Sequence, residues 1–292
     1  MLARVRPLLR PSLPPVSSLL LLLLLALPAR AEGPRLSVQP MRAKPGDPVL
    51  VRVEGVREAP TGTLAGRALH FVAAPGGFLA VTGLPVEQAP GALAVTVQAE
   101  APPSPPLSAE LQVVDPAYPA SELKVDSQFV DPPPELKARI QADQEALARA
   151  YGQPSQPLLF QGAFAWPRKA KLTAHYGQRR TFNGQLKSQH YGADLDGRIG
   201  APVAAANAGT VVLVRDCLGS GQTVLLHHGA GLYTAYFHLS EVLVKEGQQL
   251  ARGQPLGKVG NTGRVTGPHL HWGAKADGLW VDPETLLALP FP

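Results

Sequence analysis

Apolar and polar residues alternate in short runs over two stretches of the chain. From Leu36 to Val114 the runs include Val49, Val51 and Val53 against Arg52 and Glu54, then Leu93, Val95 and Val97 against Thr96 and Gln98. A period of two marks half-buried strands. The turn formers Pro45-Gly46-Asp47-Pro48, Pro75-Gly76-Gly77 and Pro90-Gly91 separate them at spacings that suit a small antiparallel sandwich. No tryptophan or cysteine pair marks a true immunoglobulin domain, and His70, without acidic or histidine company in the text, reads as structural. From about Phe164 a second β-rich series begins, with Gly209–Val214, Thr223–Leu226 and Leu232–Phe237 as examples and His228-Gly229-Ala230-Gly231 as a hairpin connection.

Between these stretches the period changes. Residues 116–160 read as a proline-rich connector holding one helix over 132–151. Asp131 can cap it, Pro132 suits its first turn, Gly152 ends it, and Leu136, Ile140, Leu147 and Tyr151 form a stripe expected to pack on a domain. The pattern therefore predicts a mainly β protein: an antiparallel sandwich over 32–115, the connector over 116–160, and an antiparallel domain over 161–292.

The first 31 residues have the build of a secretory signal. Arg4, Arg6 and Arg10 precede an apolar run from Leu19 to Leu27, and Ala29-Arg30-Ala31 offers a cleavage site. That run is short of the roughly 20 residues a membrane span needs, so cleavage is expected over a retained anchor. The product would be exported to the periplasm or cell envelope, with no stable membrane span. Removing the segment also changes the charge argument. Four of the 27 Lys and Arg and none of the 22 Asp and Glu lie in it, so the net charge falls from +5 to 23 minus 22, or +1. Nothing then points to nucleic acid. Cys217 is the only cysteine, which excludes an internal disulfide and a thiolate metal cage, and it reads as a small buried hydrophobe.

Seven of the eight histidines fall in the second half, in clusters. His190 and Asp194 would share one face of a strand, with Gly192 between them leaving room for an ion. His269 and His271 would project together roughly 6–7 Å apart along a strand. Either both bind one ion or one binds while the other does acid–base work, and spacing leaves both open. His238, alone, is an ordinary histidine at a sheet edge. Together the clusters offer two imidazoles and a carboxylate for a catalytic zinc with an open fourth position, which can bring the pKa of bound water from about 15.7 to about 7. Further imidazoles nearby could move protons, an effect worth roughly 10²- to 10⁴-fold.

With these clusters the region from Phe164 to Leu289 resembles the lysostaphin-like (LytM-type) zinc endopeptidases of bacterial cell walls. The resemblance runs through Tyr176-Gly177-Gln178-Arg179-Arg180, Gly200-Ala201-Pro202-Val203 and Tyr236-Phe237-His238-Leu239-Ser240. It continues in Gly260-Asn261-Thr262-Gly263, Thr266-Gly267-Pro268-His269-Leu270-His271 and Val281-Asp282-Pro283. It implies one Zn2+ per peptidase domain, held by His190, Asp194 and His271, with His238 and His269 assisting proton transfer and Tyr236 as a groove residue. Phe237 departs from it, since the family usually has a small residue there, and so does Cys217. The implied activity is endopeptidase cleavage of peptidoglycan peptides. The alternative is a wall-binding activator of other hydrolases, as in family members that have lost ligands, and the five polar groups present here favour catalysis. The upstream layout resembles, more loosely, exported members in which an immunoglobulin-like domain and a helical connector precede the peptidase.

Gly253-Gln254-Pro255-Leu256-Gly257-Lys258-Val259 lacks the spacing and the Ser or Thr of a phosphate loop and reads as a turn. His175 and His227 have no matched role, His228 reads as a turn residue or as support behind the site, and Trp166, Trp272 and Trp280 read as core or edge packing.

Overall fold

The valine-rich text folds as strands: Val95 and Val97 are buried between exposed or half-buried neighbours, whereas Val49, Leu50 and Val51 are buried in succession because both faces of their strand are covered. The computed structural model describes residues 33–100, 104–126, 130, 132–154 and 156–292. The signal-like segment and Asp131 lie outside these. Among the described residues no helix is long and apolar enough to cross a membrane.

The first strands are β1 (Arg35–Gln39), β2 (Arg42–Ala43), β3 (Pro48–Glu54), β4 (Thr61–Leu64), β5 (Arg67–Ala68), β6 (Val72–Ala74), β7 (Gly77–Gly83), β8 (Gly91–Gln98) and β9 (Leu107–Val113). They form two sheets in the orders β1-β3-β7-β6 and β2-β9-β8-β4-β5. Pairing is antiparallel except between β2 and β9. Val49, Val51 and Val53 face Val95, Val97, Leu111 and Val113 in one buried cluster, as their alternation requires.

The connector contains β10 (Ala120–Leu123) and α1 (Pro134–Tyr151). The helix starts two residues later than the sequence reading. A residue that precedes proline is pushed out of the helical region; Pro132 and Pro133 both precede prolines, and Pro133 sits extended at ψ 157°. Its buried face is also shifted, to Asp143, Ala146 and Ala150, with Leu147 and Tyr151 beside them.

The remaining elements are β11 (Leu172–Ala174), β12 (Arg179–Phe182), β13 (Leu186–Gln189), β14 (Ala193–Asp196), β15 (Pro202–Ala204), β16 (Gly209–Cys217), β17 (Gly221–His227), β18 (Leu232–Val242), β19 (Gln249–Leu250), β20 (Pro255–Val259), β21 (His269–Ala276), β22 (Leu279–Val281) and α2 (Pro283–Leu286). A sheet with the path β11-β14-β21-β18-β17-β16-β19 dominates, with β20 on β18, β15 on β20 and β22 on β21. A separate small sheet joins β10 in parallel to β12, and β12 in antiparallel fashion to β13. The connector is thus built into the second half; the packing of its helix on a domain was expected, whereas the strand β10 was not suggested by its proline-rich text.

α1 lies on β16. The buried carboxylate of Asp143 accepts from Arg215 Nε (2.7 Å) and from the Leu218 amide (2.8 Å), so its burial is compensated. The front sandwich packs elsewhere. Leu50, Leu79 and Val81 join Leu232, Ala276 and Val281 in one apolar cluster. The turn at Gly46 meets the chain end, where its carbonyl accepts from the Asp282 amide and Asp47 accepts from Thr285. At Gly46 a Cβ would come within 2.2 Å of the Tyr176 ring, so only glycine permits this approach. His70, which lacked company in the text, is exposed and pairs with Asp277 at 2.8 Å across this junction.

Candidate metal centre

The register of two strands assembles the centre. In β21 the residues alternate, with Leu270 and Trp272 fully buried in the core and His269 and His271 on the opposite, largely covered face. β14 runs antiparallel beside it, pairing Asp194 with His271 and Asp196 with His269. Directly paired residues share a face, which brings the Asp194 carboxylate beside the His271 ring.

His190 arrives differently from the sequence reading. It precedes β14 in the link from β13, so it does not share a strand with Asp194. Its backbone is fixed by bonds to Gln178 and Gly177, and its Nδ1 donates to the His175 carbonyl at 2.8 Å. Gly192 is needed for closeness of packing: a Cβ there would lie 2.6 Å from Cε1 and Nε2 of His271.

Three atoms converge. His190 Nε2 lies 2.9 Å from Asp194 Oδ1 and 3.0 Å from His271 Nδ1, and His271 Nδ1 lies 2.9 Å from Asp194 Oδ1. Because Nδ1 of His190 carries the donated proton, neutral His190 points a lone pair into this triangle, where the carboxylate oxygen also offers only lone pairs. A cation at the centre satisfies all three atoms at once, and two imidazoles with a carboxylate are a donor set suited to zinc. Burial opposes ionisation of Asp194, but the imidazoles of His190 and His271 beside it outweigh burial and hold the carboxyl well below the usual range. Burial pushes His271 down to about 4, so its ring is neutral at pH 7.

Arg180 completes the support. Its Nη2 lies 3.0 Å from Asp194 Oδ2, the oxygen turned away from the triangle. The sequence reading quoted Arg180 as part of a motif without giving it this task. A buried carboxylate that uses one oxygen on an ion needs a partner for the other, and of the adjacent Arg179 and Arg180 only the fold selects one.

His238 and His269 flank the triangle. His238 Nδ1 donates to the Thr262 carbonyl (2.8 Å) and His269 Nδ1 to the Gly267 carbonyl (2.8 Å), leaving both Nε2 atoms free. The Nε2 of His269 is 3.7 Å from Asp194 Oδ1. Burial, with the nearby His269 and His271, pushes His238 down to about 3, so it is unprotonated at neutral pH. His238 adopts φ +62°, left-handed for a non-glycine residue, where β18 carries an extra residue against β17. That bulge turns its ring toward the face of Phe237. Phe237 stacks on His271 at an interplanar angle of 7°, so the departure from the family pattern forms one side of the site.

Tyr236 is not brought here. It pairs with Trp272 on the core face and is fully buried, with its hydroxyl accepting from the Ala206 amide (2.8 Å) and 3.0 Å from Thr234 Oγ1. Its expected place in the groove is corrected to a core role: two residues before His238 would share that residue's face in regular strand, but the bulge separates them. His228 is likewise in the core, bonded to Ala208 and Thr234, and burial pushes it down to about 4. Burial raises the Cys217 thiol, in keeping with an inert side chain.

The centre opens into a cleft of about 630 Å³. One bank comes from the connector, with Leu123, Val125, Ile140 and Leu147; the other includes Arg264 and Thr266. No residue of the front sandwich lines it among the described residues.

The description Peptidase family M23 matches residues 188–283, which contain all five candidate polar groups. The peptidoglycan DD-endopeptidase ShyA of Vibrio cholerae is 49% identical over 105 residues, 36% of this chain and 24% of that protein. A lipoprotein NlpD/LppB homolog of Pseudomonas aeruginosa is 38% identical over 125 residues, 42% of this chain and 39% of that protein. The chain thus spans between about a quarter and two fifths of the length of these relatives. A crystal structure of a peptidase M23 from Pseudomonas aeruginosa aligns over 83% of this chain and 93% of its own, with a TM-score of 0.62 and 28% identity. That likeness extends well beyond the matched segment and includes the front of the chain. Residues 188–283 are thus a segment similar to peptidase family M23.

Proposed function

We propose that the protein is an exported, zinc-dependent endopeptidase that hydrolyses stem or cross-link peptides of bacterial peptidoglycan. The observation that carries this reading is the convergence of His190 Nε2, Asp194 Oδ1 and His271 Nδ1 at 2.9–3.0 Å, flanked by two imidazoles with free Nε2 atoms. In this reading residues 161–292 are the peptidase domain, 116–160 a connector that walls the cleft, and 32–115 an accessory sandwich.

His190, Asp194 and His271 hold the zinc, which supplies a Lewis acid for acidifying water and polarising the scissile carbonyl. Arg180 keeps Asp194 oriented, and the His175 carbonyl keeps His190 in the ligating tautomer. His238 and His269, each held by a backbone carbonyl at Nδ1, present Nε2 to the cleft. With Nδ1–H committed to a carbonyl, a free Nε2 accepts the proton of the attacking water, and the imidazolium so formed passes it to the leaving amine; the other imidazole donates to the developing oxyanion when it is protonated. The relatives named as peptidoglycan endopeptidases support this substrate class. The competing reading, an activator without catalysis, needs none of these five groups.

The test incubates purified protein with isolated sacculi, with and without chelator, and identifies new termini by mass spectrometry. Soluble muropeptides are expected, lost with chelator and in His271→Ala and restored by zinc. Release that persists in His271→Ala would sink the catalytic reading. Zinc-loaded protein that releases nothing yet accelerates a second wall hydrolase would establish the activator.

A further inference from the structure

Arg264 stands on the loop between β20 and β21, the same loop that holds His238 through Thr262 and His269 through Gly267. This loop is closely seated. The Arg264 amide donates to the Gly219 carbonyl at 2.8 Å, and a Cβ at the neighbouring Gly263 would come within 2.4 Å of the Gly221 amide nitrogen. The guanidinium lies 4.6 Å above the ring centroid of Phe182, a buried residue of β12, and that contact fixes its position. It lines the same cleft as His190, Asp194, His238, His269 and His271.

Neighbouring carboxylates are already engaged. Those lining the cleft are Asp143 and Asp194. Asp143 is bonded to Arg215 and the Leu218 amide, and Asp194 to the histidines through one oxygen and Arg180 through the other. Among the described residues no carboxylate pairs with Arg264. Burial and the like charge of Arg180 both work against this cation, so an anion entering the cleft relieves a cost the fold leaves standing. A planar guanidinium with free donors matches a carboxylate in a bidentate pair.

We propose that Arg264 selects substrate by binding a free carboxylate on the peptide that occupies the cleft, so that the preferred substrates are anionic peptides. This rests on the peptidase reading above and specifies its substrate class. A C-terminal carboxylate and a side-chain carboxylate share the required chemistry.

The test uses the full chain and a cross-linked stem-peptide dimer in four forms: carboxylates free, C-terminal carboxylates amidated, side-chain carboxylates amidated, and all amidated. Calorimetric affinities are measured first on chelator-treated protein, where no ion competes for the carboxylate. Wild type is expected to bind the free form about 10- to 100-fold more tightly than the fully amidated one, the size of one charge-assisted pair. Arg264→Gln brings that ratio close to one, and Arg264→Lys restores part of it. Whichever singly amidated form behaves like the fully amidated one identifies the source of the carboxylate. The same ratio in kcat/KM is expected for zinc-loaded protein.

A wild-type ratio near one, a ratio that survives Arg264→Gln, or no binding of the free form overturns the proposal. Discrimination by chelator-treated protein that cleaves nothing once loaded with zinc removes the peptidase reading while Arg264 keeps its assignment. Zinc-dependent cleavage without discrimination does the reverse.

Discussion

Asp194 sits directly opposite His271 in the β14–β21 register, its Oδ1 2.9 Å from the ring Nδ1 while its Oδ2 is 3.0 Å from Arg180. A metal site built this way depends on strand pairing as much as on ligand chemistry. His271→Ala and Asp194→Asn are each expected to lower zinc from about one ion per chain to a small residue, because a catalytic site has about three protein ligands. Elemental analysis of folded protein checks this; full zinc content in either variant would remove them as ligands.

Arg180 acts through Asp194. Arg180→Gln leaves all three proposed ligands present but frees the outer carboxylate oxygen, and zinc affinity is expected to fall about 10- to 100-fold. Competition with a chromophoric chelator measures it. Arg180→Lys, which keeps the charge but loses the fork, falls between the two.

His238→Ala and His269→Ala should separate chemistry from metal binding. Each is expected to retain zinc and to lose about 10²- to 10⁴-fold in kcat, the usual worth of a positioned acid or base. Unchanged turnover in both would place proton transfer elsewhere.

Gly192→Ala puts a methyl group within 2.6 Å of the His271 ring. Destabilisation of about 1–3 kcal/mol is expected from overpacking, together with weaker zinc binding. Urea unfolding with and without zinc distinguishes the two effects.

The junction between the front sandwich and the chain end gives a pH dependence. Burial pushes the Asp282 carboxyl up from 3.8 to about 7, and Asp47 beside it is also raised. A carboxyl with a raised folded-state pKa binds protons more tightly when folded. Its stabilising share is complete below the unfolded value and is lost as pH rises through about 7. Unfolding midpoints should therefore fall between pH 4 and pH 8 relative to Asp282→Asn, which keeps a helix-capping side chain but cannot ionise.

Much of this was legible before the fold was known, but unevenly. Alternation in Val49, Val51 and Val53 specified a buried face, and alternation in His269-Leu270-His271-Trp272 specified which side faces the core. Both are local rules. Meeting His190 with Asp194 was foreseen for the wrong reason, since a bend before β14 and not a shared strand face joins them. Tyr236 was misplaced because one extra residue near His238 breaks the period of two, and a single bulge leaves no mark in composition. The part played by β10 could not be read at all, because it pairs with residues some sixty positions later.

That pairing makes the cleft a property of the chain from at least Leu123 onward, not of the family-matched segment by itself. A protein cut down to residues 161–292 would keep every proposed ligand and lose a bank, turning a channel into an open ledge. Peptides too broad for the cleft of the intact protein would then gain entry, while slender ones would be gripped from one side only.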